Sequence, residues 1–268
     1  MSVKEKPSET SARFTAFCAA KIEGPGGFLW IDGNGKITAG NGTLDDPKPN
    51  AFSLVQIEDC PGATATCKIG CYVHGLQKHA PETHALYVHN SAQIRKMLLG
   101  GPDDGRADAW ATVMADWITA NCAGGFRWHV SGDVFCDRYA QWIALVCRRA
   151  PLVNFWIYTR SLDMVLALTK APNLVVNISC DRDNIIDAAR TAEQYGLRLC
   201  FLTGDGHVPT GLPDGSVIFP DYNLRGGNPA GQEWFAALSP QYKSFVCPVD
   251  MWGKAENRRC GPCDRCLK

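Results

Sequence analysis

Seven of the thirteen cysteines in this 268-residue chain fall into two clusters, and clustered thiols are the clearest sign of chemistry in the sequence. The later cluster is Cys247, a gap of twelve residues, then Cys260, Cys263 and Cys266 at successive two-residue gaps. Four thiolates with C-x2-C spacing meet the tetrahedral demand of zinc. The same C-x2-C-x2-C run also holds iron–sulfur clusters. The spacing leaves the two open. The earlier cluster is Cys60, Cys67 and Cys71 in a Gly- and Thr-rich stretch, C-x6-C-x3-C. A [4Fe–4S] cluster held by three cysteines leaves one iron without a protein ligand, free to bind a cofactor or substrate. Zinc is the alternative there, with His74, His79, His84 or His89 as the fourth ligand. Those histidines recur every five residues, which is not a helical repeat, and exposed loop or helix-entry positions account for them more simply.

The other six cysteines, Cys18, Cys122, Cys136, Cys147, Cys180 and Cys200, are scattered among apolar residues and read as small buried hydrophobes. Thirteen cysteines in a reducing compartment favour metal over disulfides.

The elements that must position these groups follow a strand–helix alternation. Residues 13–57 read as short strands with turns, and the Asn-Gly steps of FLWIDGNGKITAGNG predict a tight hairpin. AFSLVQIE (51–58) reads as a strand leading into the first cysteine cluster. Trp110, Val113, Met114, Trp117 and Ile118 form an amphipathic helical stripe. FRWHV (126–130) is a strand. Asp137 is placed to cap the next helix, whose stripe is Tyr139, Trp142, Ile143, Val146 and Cys147. NFWIY (154–158) is a strand and a helix follows near 162–169. NLVVNIS (173–179) is a strand, Asp183 is placed to cap a helix, and Gly196 to end it. LRLCFL (197–202) and SVIFP (216–220) complete the series. About five or six βα units predict an α/β fold: a partial (β/α) barrel or a parallel sheet with flanking helices. It is expected to carry an N-terminal β segment and a C-terminal cysteine-rich metal knuckle. The expected organisation is a disordered tail over 1–12, the barrel-like domain over 13–246, and the metal-binding extension over 247–268.

In such folds functional groups gather at the C-terminal ends of the strands. His129, Ser131, Gly132 and Asp133 follow one strand; Tyr158, Thr159 and Arg160 end the next; Asn177, Ser179 and Asp181 the third; Thr203, Gly204 and Asp205 the fourth; and Asp221 the fifth. Composition narrows the partners. Formal net charge is zero, so nucleic-acid binding would need a local patch, such as Lys254, Arg258, Arg259, Arg265 and Lys268 near the second cluster. No apolar run reaches the roughly 18 to 20 residues of a membrane span. The N-terminus lacks the apolar core of a signal peptide, so a cytoplasmic location is expected.

Four stretches carry a resemblance to the phage gene product 88 family: CPGATATCKIGCYV (60–73), FRWHVSGDVFCDRYAQWI (126–143), PLVNFWIYTRSLDM (151–164) and CPVDMWGKAENRRCGPCDRC (247–266). The resemblance implies a fold and a cysteine site and brings no activity with it. More loosely, the first cluster resembles the cluster loop of radical SAM enzymes, where a cysteine triad follows the first strand, its last cysteine precedes an aromatic, and a partial βα barrel follows. The spacing differs, C-x3-C-x2-C there against C-x6-C-x3-C here. This likeness implies a [4Fe–4S] cluster on Cys60, Cys67 and Cys71, with S-adenosylmethionine on its open iron. Ser131, Gly132 and Asp133 would position that cofactor beside Tyr158, Arg160 and Asn177, and the C-terminal cysteines would form an auxiliary site.

The leading expectation is therefore an iron–sulfur enzyme of radical SAM-like architecture on an unknown substrate, with nucleic acid or a nucleotide in view. His129, Asp133 and Asp205 are the candidate catalytic side chains. The second is a zinc-stabilised barrel enzyme acting on nucleic-acid bases by glycosyl transfer or base exchange, with Asp133 or Asp205 as nucleophile or general acid/base. The third is a non-catalytic metal-binding phage protein.

Overall fold

The computed structural model describes residues 19–33, 49–71, 73–101, 104–224, 228–252, 263 and 265–267. Six parallel strands form one sheet: β3 (Ala51–Phe52), β4 (Phe126–Trp128), β5 (Phe155–Thr159), β6 (Leu174–Cys180), β7 (Arg198–Leu202) and β8 (Val217–Phe219). Their spatial order is their chain order, with every neighbouring pair parallel. Right-handed crossovers that all advance in one direction put their helices on one face. β3 and β8 remain edges, so the sheet is open, within the expected fold class and not a closed barrel.

The helix-covered face is the core. α4 (Arg106–Asn121) and α5 (Asp137–Arg149) contribute Trp110, Met114, Ile118, Tyr139, Trp142, Ile143 and Val146 to one cluster with Phe126, Trp128, Phe155, Ile157, Val176, Ile178, Leu199 and Phe201. Alternation along the strands sends Arg127, Trp156, Tyr158, Val175, Asn177, Cys200 and Val217 to the other face. Cys147 is core, as its place in the stripe predicts, and accepts a hydrogen bond from Trp128 Nε1 at 3.3 Å. α5 begins at Asp137 with Cys136 as its N-cap, and the Asp137 side chain does not cap.

Both edges are covered by the chain's own segments. The antiparallel hairpin β1 (Ala20–Gly24) and β2 (Gly27–Ile31) leads to Asp32, whose backbone bridges Ala51 through bonds of 2.7 and 2.6 Å. The predicted Asn-Gly turns over 34–42 lie outside the described residues. At the far edge Val246 bridges Ile218 in parallel. The Asp32 carboxylate is buried and accepts from Ser53 Oγ and Tyr87 OH, each at 3.0 Å, while its second oxygen has no partner. Burial pushes its pKa up to about 7, against the lowering effect of those two hydroxyls and the more distant Arg127. The long helix α3 (Pro81–Leu99) clamps this edge: Asn90 pairs with both backbone groups of Trp30, and Ser91 accepts from Val55 N–H. β3 spans only two residues, where the sequence pattern predicts a strand to residue 58. Among the described residues, no helix is long and apolar enough to cross a membrane.

Candidate functional site

The loop from β3 carries Cys60, Cys67 and Cys71 across the C-terminal ends of β4 to β7. It is pinned at each one. Asp133 N–H, after β4, donates to the Asp59 carbonyl at 2.8 Å. Gly62 lies so close to the end of β5 that a Cβ there would stand 2.2 Å from the Arg160 carbonyl oxygen. Thr64 caps the short helix α1 (Ala65–Ile69), and its hydroxyl donates to Asp181 Oδ2 at 2.6 Å, after β6. Thr66 N–H donates to Asp183 at 2.9 Å, and the Thr66 methyl lies against Gly204, after β7. Asp183 thus serves the cysteine loop, and Asn184 takes the N-cap position of α7 (Ile185–Tyr195) that the sequence assigns to Asp183. From behind, Arg95 of α3 pairs with the buried Asp59 and covers the Phe135 ring.

The surroundings of Cys60 and Cys67 favour their protonated thiols. Burial first, then the Asp133 charge, and further the nearby Cys67 and Cys71, push Cys60 up to about 12. Burial also raises Cys67, with Arg160 opposing it. A metal centre supplies the positive charge that reverses this preference. Among the described residues, several buried polar atoms near the loop have no partner: Gln56 Oε1, Asp59 Oδ2, Ser131 Oγ, Arg160 Nε and Ser161 Oγ. Such atoms are few in a folded protein, and ordered water or a bound group is what usually meets them. Among the described residues, no three His, Cys, Asp or Glu side chains converge tightly enough to hold a metal ion. Of the candidate histidine ligands, His89 stacks on Phe28 and bonds its carbonyl at 2.9 Å.

The predicted site residues divide into separate places. Ser131, Gly132, Asp133 and Arg160 border the cysteine loop. Gly132 is at φ 78° and a Cβ would meet Leu54 at 2.6 Å, so the turn requires glycine. Asp133 is buried and both its oxygens accept backbone N–H groups, Val134 at 2.7 Å and Arg160 at 2.8 Å. Burial raises its pKa against those bonds. It welds the ends of β4 and β5 together. His129, at φ 59°, turns its ring into the core, where Nε2 meets the Tyr139 hydroxyl at 2.8 Å, and burial lowers its pKa to about 3. Asp205 follows β7, three strand spacings or roughly 14 Å from β4, and pairs with Arg182 at 2.9 Å. It borders an open cleft of about 360 Å³ with Asp221, Asn223 and Trp234. The three candidate catalytic side chains thus form no single constellation.

Tyr158 and Asn177 belong with the C-terminal segment. Tyr158 hydrogen-bonds the Cys266 thiol, and Asn177 Nδ2 donates to the Cys266 carbonyl at 3.3 Å. Burial raises Cys266, and the Tyr158 hydroxyl opposes this. Cys247 is buried; Cys263 and Cys266 are half-buried. Cys260 lies outside the described residues, as do Lys254, Arg258, Arg259 and Lys268 of the expected basic patch. Arg265 of that patch is spent on the chain itself, donating to the carbonyls of Val246 and Ser244.

A parallel α/β protein with one cysteine loop across its strand ends and a second cysteine segment on the uncovered sheet face is the class these features define. The chain belongs to the gene product 88 family, whose profile matches residues 29–268. It is 30% identical over 183 residues to the Gene 88 protein of Mycobacterium phage L5, covering 68% of this chain and 74% of that protein. The Gene 88 protein of Mycobacterium phage D29 is likewise 30% identical over 183 residues, covering 68% and 73%. No solved structure matches the chain. The looser likeness to radical SAM enzymes gains no support from these matches.

Proposed function

We propose that this family member is an iron–sulfur enzyme whose reacting centre is the 60–71 loop. The observation that carries the reading is the loop itself: three thiols on one segment, tethered to four successive strand ends and with buried polar atoms near it that have no partner. Cys60, Cys67 and Cys71 would hold a [4Fe–4S] cluster, which supplies electron transfer and an iron open to an external ligand. Asp133 is a positioning residue, fixing the turn that carries Ser131 and Gly132 and the backbone of Arg160. The Ser131 and Ser161 hydroxyls and the Arg160 Nε–H are the donors suited to orient a polar ligand beside the thiols; S-adenosylmethionine is one such ligand.

Carboxylate chemistry on a nucleic-acid base is less well supported, because both oxygens of Asp133 are committed to backbone donors and Asp205 is exposed and paired.

The test is anaerobic purification and reconstitution with iron and sulfide. About four irons per loop cluster are expected, with an electron paramagnetic resonance signal on reduction that the Cys71→Ala variant loses. Added S-adenosylmethionine should perturb that signal if it ligates the open iron. A colourless protein holding only zinc after this treatment would sink the proposal.

A further inference from the structure

The C-terminal segment is sewn to the uncovered face of the sheet over β5 to β8. Cys247 N–H donates to the Ile218 carbonyl at 2.8 Å, and Arg198 Nη1 to the Arg265 carbonyl at 2.8 Å. Asn177 holds the Cys266 carbonyl, and Arg265 Nη1 reaches the Val246 carbonyl at 3.0 Å. These bonds fix the backbone around one side chain of β7, Cys200. It is 1% exposed and shares a packed cluster with Cys247, Val217 and Val249, against which Cys263, Cys266, Tyr158 and Phe219 are packed. Cys122, Cys147 and Cys180, by contrast, lie in the helix-side core.

We infer that Cys200 is a ligand of the C-terminal metal site, which is thereby built onto the sheet and not merely appended to the chain. Four thiols of three chain segments, Cys200, Cys247, Cys263 and Cys266, meet in one cluster, and four thiolates are a complete tetrahedral set for zinc or a similar soft divalent cation. Each thiol gives its proton to solvent as its sulfur–metal bond forms. The sulfurs share the cluster without standing at ligand spacing. Turning χ1 between staggered wells swings a cysteine sulfur while the anchored backbone stays fixed. The inference holds whether or not the 60–71 loop carries a cluster.

The experiment uses the full chain with 13Cβ-labelled cysteine and cadmium-113 as the probe, in a Cys60→Ser, Cys67→Ser, Cys71→Ser background that silences the other loop. Cadmium-to-Hβ coupling should appear on Cys200, Cys247, Cys263 and Cys266. Cobalt titration should show Cys200→Ser weakening binding by tenfold or more, while Cys122→Ser, a buried thiol elsewhere, leaves it unchanged. Coupling on Cys247, Cys260, Cys263 and Cys266 with none on Cys200 would overturn the inference. So would a folded Cys200→Ser protein with wild-type cobalt affinity and charge-transfer intensity. The cadmium couplings are read in protein with a native cysteine at 200, so a misfolded variant does not decide the matter.

Discussion

Replacing Asp32 by Asn should stabilise the protein at neutral pH and remove a characteristic pH dependence. The buried carboxylate has a pKa raised from 3.8 to about 7, chiefly by burial. A span of about three pH units at about 1.36 kcal/mol each makes the ionised form cost up to about 4 kcal/mol in the folded protein. The folded state binds this proton more tightly than the unfolded state. Stability from Asp32 is therefore fully present below about pH 4, falls as pH rises towards 7, and stays at its lower level above that. Asparagine carries no charge, and its oxygen can accept from Ser53 and Tyr87 as Asp32 Oδ2 does. Its amide nitrogen then takes the position of the unpartnered oxygen, at an expense of about 1–3 kcal/mol. The net gain at pH 8 should be about 1–3 kcal/mol, shrinking to nothing or reversing at pH 4. Urea denaturation of both proteins at half-unit pH steps reads the difference directly and cancels every other titrating group. A difference that is flat between pH 4 and 7 would refute the reasoning, whatever the absolute stabilities.

His129 works in the opposite direction. Its ring is held neutral down to about pH 3 while an unfolded histidine protonates near 6.5, so its contribution to stability is lost as pH falls from 6.5; ring nitrogen NMR shifts of a neutral imidazole are expected at pH 5, and a protonated ring there would contradict the buried Tyr139 contact. Tyr139→Phe strips the partner from His129 Nε2 and should destabilise by about 1–3 kcal/mol in urea melts. Gly62→Ala puts a methyl group against the Arg160 carbonyl, so the reconstituted protein should lose iron from the 60–71 loop while cadmium binding at the C-terminal thiols persists. Asp133→Asn has one oxygen for two backbone donors and should cost about 1–3 kcal/mol by the same urea assay.

The sheet was legible because its strands are short apolar runs between amphipathic helices, and observed and expected boundaries of β4 to β8 differ by two residues at most. Helix α3 was not, and its chemistry explains why. Two of its buried positions are Asn90 and Ser91, which bond the hairpin and β3, so polarity interrupts the apolar stripe that betrays a helix. The cysteine loop was visible as a motif, but its anchors were not: Thr64 and Asp181 are 117 positions apart, and no local pattern joins them. Asp133 and His129 attract attention at a strand end, and only the backbone around them reveals that one is tied to two amides and the other turned inward. Cys200 sits in a run, LRLCFL, that reads as buried strand; that its neighbours are thiols is a fact of tertiary contact alone.

The two covered edges bear on how the chain assembles as it is made. Because spatial order repeats chain order, each of β4 to β8 finds the preceding strand already synthesised, and the sheet can grow vectorially from one side. Growth of this kind has no internal stop: every nascent intermediate presents a fresh row of unpaired amides and carbonyls, the template on which other chains add. The bridge from Val246 to Ile218 is the termination step. A ribosome that stalls before it releases a sheet with a sticky flank, which Val246 and Cys247 partly cover in the finished product. The segment next to the second cysteine cluster therefore also divides complete molecules from aggregation-prone fragments.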